Sequence, residues 1–586
     1  MPSSLHAGTK APRTAWPAPG LRIVLALLAA FLAIQYGYGL TVAFINDDYI
    51  FLDKTRGMGF PSLWAPRDLL FHYYRPWSRE LHYWVLQGAF GARELPFHVT
   101  SFVLWLAVMG SYFALVRHLA GAGTAALATA CVAALAAWAV PILWAAGAQE
   151  LWMLLCSLLT LLAIARDRIR VACVGLALAL LSKETAVVLA PIALAQRWVL
   201  GGGGWREALA RTAPLWVLTG AWAALHPLFG GRLWWPIHEP PAPGVHPSPG
   251  LIAGHTLLAL VNLAPWPRPE SGWESVLVFG LPAAILLAAL VTWALAGRSR
   301  PELTGRRGDA PAPPRTLMRF GLVWAVLGWL PLAMPSIAWR SHYVLFGALG
   351  FWLAVAAWLG RRTRLSLAVV VALALLRPAV ADTPSRDWSS EWYRRRAAAF
   401  IEHLRADLLL KQPSPPPHSR MFFIMVPSGV GFLAGNGPAL RVWYGDSTLQ
   451  GGFYADYRPR AAGAARGPDF FFRFDSTTGW VPVRRGPENV AMARRANPRW
   501  VRDHDVLAQT LARAGDWGSA AVEYAKLADS ESLRVDYGFN AGLCYETLGD
   551  SAAAASWYTR AAALPDADDD VRSSARRLSP YLQRSR

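Results

Sequence analysis

Residues 21–54 read LRIVLALLAAFLAIQYGYGLTVAFINDDYIFLDK, and this stretch decides the fold. Residues 21–44 are nearly all apolar and match the ~20 residues that cross a bilayer. Lys10, Arg13 and Arg22 precede the run, as in a secretory leader. The run from Ile23 to Phe44 exceeds the ~7–15 residues of a signal-peptide core, and no small-x-small site follows it. It therefore reads as an uncleaved first membrane helix. Asp47 and Asp48 then fall where that helix leaves the membrane.

The rest of the chain supports this reading. Of 586 residues, 54% are hydrophobic and only 16% are charged, too apolar a balance for a soluble protein of this length. Eleven apolar runs are expected to be spans: 23–44, 97–117, 122–144, 149–165, 170–182, 185–200, 212–229, 276–296, 319–335, 343–360 and 365–381. The formal net charge of +19 could suggest nucleic acid, but the arginines recur in clusters between apolar runs. With the N-terminus inside, alternation places Arg117, Arg166–Arg170, Arg197–Arg211, Arg298–Arg319 and Arg361–Arg364 on that same side. About eleven helices then leave the C-terminus outside. Cys131, Cys156, Cys173 and Cys544 show neither metal spacing nor a disulfide framework and read as small buried hydrophobes.

Beyond residue 381 the composition changes. KQPSPPPHSR (411–420) is a Pro-rich linker, and MFFIMVP (421–427) and DFFFRFD (469–475) read as strands of a small mixed domain. From about residue 500 the chain is helical and repeats. Gly515 and Gly549, Ala520 and Ala554, Tyr524 and Tyr558, and Ala528 and Ala562 are each 34 positions apart. That is the tetratricopeptide period, expected to serve packing or partner contact. The expected architecture is mainly α: a polytopic bundle over 1–381, a mixed α/β extracytoplasmic segment over 382–497 and tetratricopeptide-like repeats over 498–586.

The same alternation puts the polar segments on the outer side: NDD (46–48), YRPW (74–77), AGAQE (146–150), SKE (182–184), the loop 230–275 and WRSHY (339–343). Each has a plain structural reading. The Asp pair could mark the interface. Trp77, Tyr83 and Trp84 could sit at headgroup level with Arg75 and Arg79 facing phosphates. Lys183 and Glu184 could be an interfacial ion pair, and Trp234, Trp235, His238 and Glu239 an aromatic anchor. The functional reading is that one Asp takes a proton from an acceptor hydroxyl, while its neighbour holds the acceptor, a metal ion or the first Asp. Lys183 and Arg340 would hold a phosphate, with donors from His342 and Tyr343. There is no Walker loop, dinucleotide fingerprint or zinc spacing.

The order of these elements carries a resemblance: an acidic pair after helix one, then YRPW and FGARELPFHVTSFVLWL, VPILWAAGAQELWMLLCSLLTLLAIA, LSKETAVVLAPIAL and WRSHYVLFGALGFWL, then the repeats. The chain resembles the GT-C membrane glycosyltransferases, and most of all the tetratricopeptide-containing group related to protein O-mannosyltransferases. The resemblance covers most of residues 25–380 and, separately, the tail. It implies transfer of a sugar from a polyprenyl-phosphate carrier to a hydroxyl outside the cytoplasm. It maps the acidic motif onto Asp47 and Asp48, the Ser-Lys-Glu element onto Ser182, Lys183 and Glu184, and a late Arg-x-x-Tyr element onto Arg340 and Tyr343, with His342 between.

The chain departs from the family at PILWAAGAQE (141–150). Leu143 stands where relatives have His, Ala145 where they have Glu, and Gln149 or Ala148 where they have Arg. Gln149, Glu150 and Arg75 are counted with the substrate-binding candidates. The expected activity is an inverting hexosyl or pentosyl transfer with Asp47 as base, no certain cofactor and a divalent cation left open. The expected partners are membrane lipid, a lipid-linked sugar and a protein at the repeats, not nucleic acid. The Ala- and Arg-rich composition fits a bacterial inner membrane. The alternatives are a non-catalytic scaffold that binds lipid-linked sugar and recruits a partner through its tail, and a transporter. The transporter would need a polar path to the inner face, which the sequence lacks.

Overall fold

The computed structural model describes residues 20–66, 69–231, 249–263, 312–333, 339–360, 362–382, 390–424, 437–457, 460, 467–484, 486, 489, 492–493, 498–531 and 534–583. The chain forms two compact units. One comprises Met1–Phe44 and Lys54–Ala399, the other Ile45–Asp53 and Phe400–Arg586.

The first unit is a bundle of apolar helices and is an integral membrane domain. Among the described residues, six helices are long and apolar enough to cross a membrane: Leu21–Thr41, Glu94–Ala120, Ala145–Ala165, Pro314–Ala333, Ser341–Leu359 and Thr363–Asp382. Ala122–Ala133 and Ala136–Leu143 make a seventh only as one broken span, bent by 64°. Their outer faces expose large apolar side chains, such as Ile34 at 79% and Leu375 at 72%. Such faces are stable against lipid rather than water.

Two of the expected spans look different in the structure, and a third, 170–182, is as short as its thirteen residues imply. Ile169–Leu180 and Leu189–Gly201 are short, and Trp205–Leu228 carries Pro214 and Pro227 inside it. At ~1.5 Å per residue, the twelve residues of Ile169–Leu180 reach roughly 18 Å, well short of a ~30 Å hydrocarbon core. The run 276–296 and the loop residues Trp234, Trp235, His238 and Glu239 lie outside the described residues.

Glycine sets how closely two helices approach. Pro314–Trp329 packs along Leu345–Leu359 with Gly328 against Gly347. A Cβ on Gly328 would meet the Gly347 Cα at 2.8 Å, closer than side chains tolerate. Small residues at such crossings let two backbones touch. Cys131 and Cys156 are buried in the same bundle, and Cys173 is half-buried.

The second unit is built on a four-stranded sheet of order β2-β1-β3-β4. These strands are β1 Arg420–Ile424, β2 Gln450–Phe453, β3 Asp469–Asp475 and β4 Gly479–Pro482. β1 runs parallel to β2 and β3, and β3 pairs antiparallel with β4. Register puts Arg420 opposite Asp469, where they form a forked ion pair of 2.9 and 2.6 Å. Burial alone would raise the Asp469 carboxyl. The Arg420 bonds and charge outweigh that and hold it below the usual range. The helix Glu391–Lys411 ends at the first residue of the expected linker.

Helices Pro498–Arg513, Trp517–Ser530, Val535–Thr547, Ser551–Ala562 and Asp569–Leu578 follow. Gly515 (φ 80°) and Gly549 (φ 82°) turn the chain in the left-handed region. Each precedes an Asp, 516 or 550, that caps the next helix by accepting from the backbone N–H three residues on. The sheet and the first helices share one core, with Phe422, Tyr454, Trp500, Tyr524 and Tyr537 in it.

Candidate functional site

Within the first unit, the polar candidates meet where helices begin or end. Arg75 directly precedes the π-helical turn Pro76–Leu81. Gln149 and Glu150 lie in the first turn of Ala148–Ala165. Lys183 is extended between Ile169–Leu180 and the 3-10 turn Glu184–Val188, which Glu184 opens. His342 and Tyr343 lie in the 3-10 turn Ser341–Val344. Irregular backbone at membrane depth is tolerated where it lines a polar interior. A first helical turn also favours a carboxylate, since its backbone N–H groups carry partial positive charge.

Two ion pairs organise the site. Arg75 donates from Nε to Glu184 Oε2 at 2.9 Å and from Nη2 to Glu184 Oε1 at 2.7 Å. Its Nη1 donates to Gln149 Oε1 at 2.9 Å. The Gln149 amide is oriented in turn by donating to the Ala146 carbonyl at 3.0 Å. The Arg75 guanidinium also lies 4.3 Å from the Tyr73 ring centre. Lys183 pairs with Glu150, and its ammonium sits 4.0 Å from the Tyr343 ring centre. The loop that carries Lys183 is tied to the Arg75 turn by Ser78, which donates to the Ser182 carbonyl at 2.7 Å.

The charge balance at Glu184 has a definite direction. Burial alone would raise its carboxyl, but the charges of Arg75 and Lys183 and the Arg75 hydrogen bonds outweigh that and hold it below the usual carboxylate range. Burial likewise opposes the Arg75 charge, and Glu184 more than compensates, so the guanidinium is held more firmly protonated than usual.

Arg340 is half-buried and donates to the Trp339 carbonyl at 3.1 Å. His342 lies within Coulombic range of Lys183, Arg394 and Arg340, and its ring centre is 4.2 Å from that of Tyr343. A narrow cavity opens between Glu150, Thr185 and Tyr343, floored by Pro331 and Leu332. Its volume is about 10 Å³, enough for roughly one water.

Asp47 and Asp48 belong to the other unit, in the first turn of Asp47–Thr55. Asn46 before them adopts φ 52°, a left-handed value that Asn tolerates better than most residues. Asp48 is buried, and its Oδ2 accepts from the Ile45 backbone N–H at 3.0 Å, while Asp47 is half-buried. Further along, Asp53 takes a fork from Arg441 at 2.9 and 2.7 Å, and Tyr49 meets Trp443 edge-on.

The expected interfacial helix is corrected in two respects. Arg79 does not face headgroups: it is buried, bonded to Glu80 at 2.7 Å and to the carbonyls of Leu70 and Tyr73. Tyr83 is fully buried against Phe97. The apolar periodicity of that stretch serves the bundle interior instead of the membrane surface.

Sequence reading missed three groups. Thr185 faces the cavity with its hydroxyl unpartnered. His226, near the end of Trp205–Leu228, is buried and within Coulombic range of Glu184 and Arg75. Arg377, inside Thr363–Asp382, pairs with Glu391 at 3.1 Å and Gln35 at 2.6 Å. His226 and Arg377 were hidden because each stands alone in an apolar run. Among the described residues, no group of three or more His, Cys, Asp or Glu side chains is placed to hold a metal ion.

No protein-family model and no curated protein matches the chain. Solved structures are similar at a coarse level. ArnT from Cupriavidus metallidurans, bound to undecaprenyl phosphate, matches at 15% identity and a TM-score of 0.40, over 73% of this chain and 85% of that one. The Archaeoglobus fulgidus oligosaccharyltransferase tethered to an acceptor peptide matches at 12% identity and a TM-score of 0.37, over 73% and 63% of the two chains.

Proposed function

We propose that the protein is a GT-C-type membrane glycosyltransferase. It moves a sugar from a polyprenyl-phosphate donor to a hydroxyl of an extracytoplasmic protein, glycan or lipid. The observation that carries this reading is the pairing of Arg75 and Lys183 with Glu184 and Glu150 at helix ends inside an apolar bundle. Buried charges are costly, and a chain keeps them where function needs them. A guanidinium fork and an ammonium suit phosphate oxygens. In the proposed resting state the two carboxylates occupy the positions a donor phosphate would take, and donor binding exchanges one anion for another.

In the reaction, Asp47 accepts the proton of the acceptor hydroxyl as its oxygen attacks the anomeric carbon. The bond from that carbon to the phosphate oxygen breaks, and the electron pair leaves with the polyprenyl phosphate. Arg75, Lys183 and Arg340 stabilise the charge that grows there. Attack opposite the leaving group inverts the anomeric centre. About eleven passes, a bacterial inner membrane, an outer C-terminal region and tetratricopeptide repeats at 498–586 belong to the same reading. The 34-residue recurrence of a left-handed Gly and a capping Asp supports the repeats.

A second reading is favoured by the departures at Leu143 and Ala145 and by the internally neutralised cations: a non-catalytic scaffold that binds lipid-linked sugar. One experiment separates them. Purified protein in lipid nanodiscs is given polyprenyl-phosphate hexose or pentose with acceptor peptides and glycans, and transfer is followed by mass spectrometry. Transfer abolished by Asp47→Asn supports the enzyme. Donor binding without transfer supports the scaffold.

A further inference from the structure

His226 makes an unusual demand on the fold. It is 1% exposed, and neither Nδ1 nor Nε2 has a hydrogen-bond partner. A buried polar group left unmet destabilises the fold, so its retention asks for a reason. Packing explains the ring but not its nitrogens. The imidazole stacks on Trp222 with centres 4.5 Å apart, and a Phe would stack as well. The backbone beyond is shaped around the ring. Gly231 donates to the His226 carbonyl at 2.9 Å, and a side-chain carbon at Gly231 would overlap the imidazole.

The direction of the ring's surroundings is informative. The end of this helix reaches the Arg75 turn, since the Phe229 ring lies 5.3 Å from that of Tyr74, the neighbour of Arg75, and Glu184 and Arg75, the two partners of the forked pair, lie within Coulombic range of His226. A histidine kept for structure would be expected to bond one of them. This one has its Nε2 edge covered by Gly231 and leaves Nδ1 unpartnered, within Coulombic range of a guanidinium whose fork is filled by a carboxylate. When a ligand anion replaces that carboxylate, a ring N–H beside the guanidinium gains a partner.

We propose that His226 is a substrate-binding residue of the Arg75 site, donating a hydrogen bond to the phosphate group that Arg75 holds. This rests on the glycosyltransferase or lipid-sugar-binding reading of the same site. The chemistry recognised is a phosphate monoester or diester anion. The lipid headgroup and a free phosphate share it, and the test distinguishes them.

The experiment uses the full chain in nanodiscs, titrated with a polyprenyl monophosphate and separately with inorganic phosphate. His226→Phe keeps the stacked ring and removes both nitrogens. His226→Gln restores a donor and an acceptor. The expected result is a thermal midpoint raised or at least not lowered by His226→Phe, a roughly 10- to 100-fold weaker lipid-phosphate affinity and recovery of most of that loss in His226→Gln. Inorganic phosphate competing at similar concentration would assign the site to the anion alone, and its failure to compete would assign it to the lipid headgroup. Either outcome keeps the role of His226. If Arg75→Ala loses binding while His226→Phe binds as the unmodified protein does, the inference is overturned and the proposed function stands. If the unmodified protein binds no polyprenyl phosphate, both fall.

Discussion

Glu184→Gln tests the resting-state exchange, because it should move stability and ligand binding in opposite directions. In the structure Glu184 is 3% exposed and accepts both arms of the Arg75 fork. Removing one partner of a buried pair generally costs about 3–5 kcal/mol. Here the lower end applies. Gln149 and the Tyr73 ring still hold the guanidinium, and a Gln at 184 can still accept one bond. The expected loss is about 3 kcal/mol, read as a lowered thermal midpoint in nanodiscs. The same change removes the carboxylate that competes for Arg75. If that pair keeps the guanidinium occupied by about 3 kcal/mol, the competent fraction is roughly one in a hundred, and lipid-phosphate affinity should rise by up to about 100-fold. The pH dependence follows the same sign. The Glu184 carboxyl is held low, so its contribution is complete above the ordinary carboxyl value of about 4.3 and is lost as pH falls through the folded value. The stability gap between Glu184→Gln and the unmodified protein should therefore close in acid. A variant as stable as the unmodified protein near neutral pH, or one that binds lipid phosphate more weakly, would refute the exchange.

Asp47→Asn should lower transfer by about 10²–10⁴ with an unchanged thermal midpoint, as loss of a general base does. Asp48→Ala should instead cost about 1 kcal/mol of stability, because Asp48 accepts from the Ile45 N–H at the start of its helix; thermal melts beside the transfer assay check both. Arg377→Ala should destabilise the membrane unit by about 3–5 kcal/mol by leaving Glu391 buried without its cation, and Arg377→Met with Glu391→Leu should recover most of that in the same melts. Gly549→Ala forces a Cβ into φ 82° and should cost about 1–2 kcal/mol, seen by hydrogen exchange as earlier opening of Ser551–Ala562.

What the sequence disclosed follows a physical line between repetition and isolation. Long apolar runs announce helices, because a membrane asks for the same thing at every position over ~20 residues. The strands at 421–424 and 469–475 were legible because aromatic runs bounded by Pro, Gly and Asp have few other uses. The 34-residue recurrence was legible because Gly515 and Gly549 are each committed to a left-handed turn. Arg75, Gln149, Glu150, Lys183 and Glu184 could be named singly from polar breaks between apolar runs. Their pairing could not, since which carboxylate meets which cation depends on packing between helices distant in sequence. Arg79 shows the limit: beside Arg75 in a Trp- and Tyr-rich stretch it reads as a cation facing headgroup phosphates, yet Glu80 and two carbonyls take its charge inside the fold. His226 and Arg377 show the converse, for one polar side chain in an apolar helix changes neither period nor mean hydropathy. Breaks in an apolar pattern thus locate a buried polar site, but its chemistry is set by partners brought from elsewhere in the chain. The decisive measurements are therefore those that change one partner and read the other, as Glu184→Gln reads Arg75.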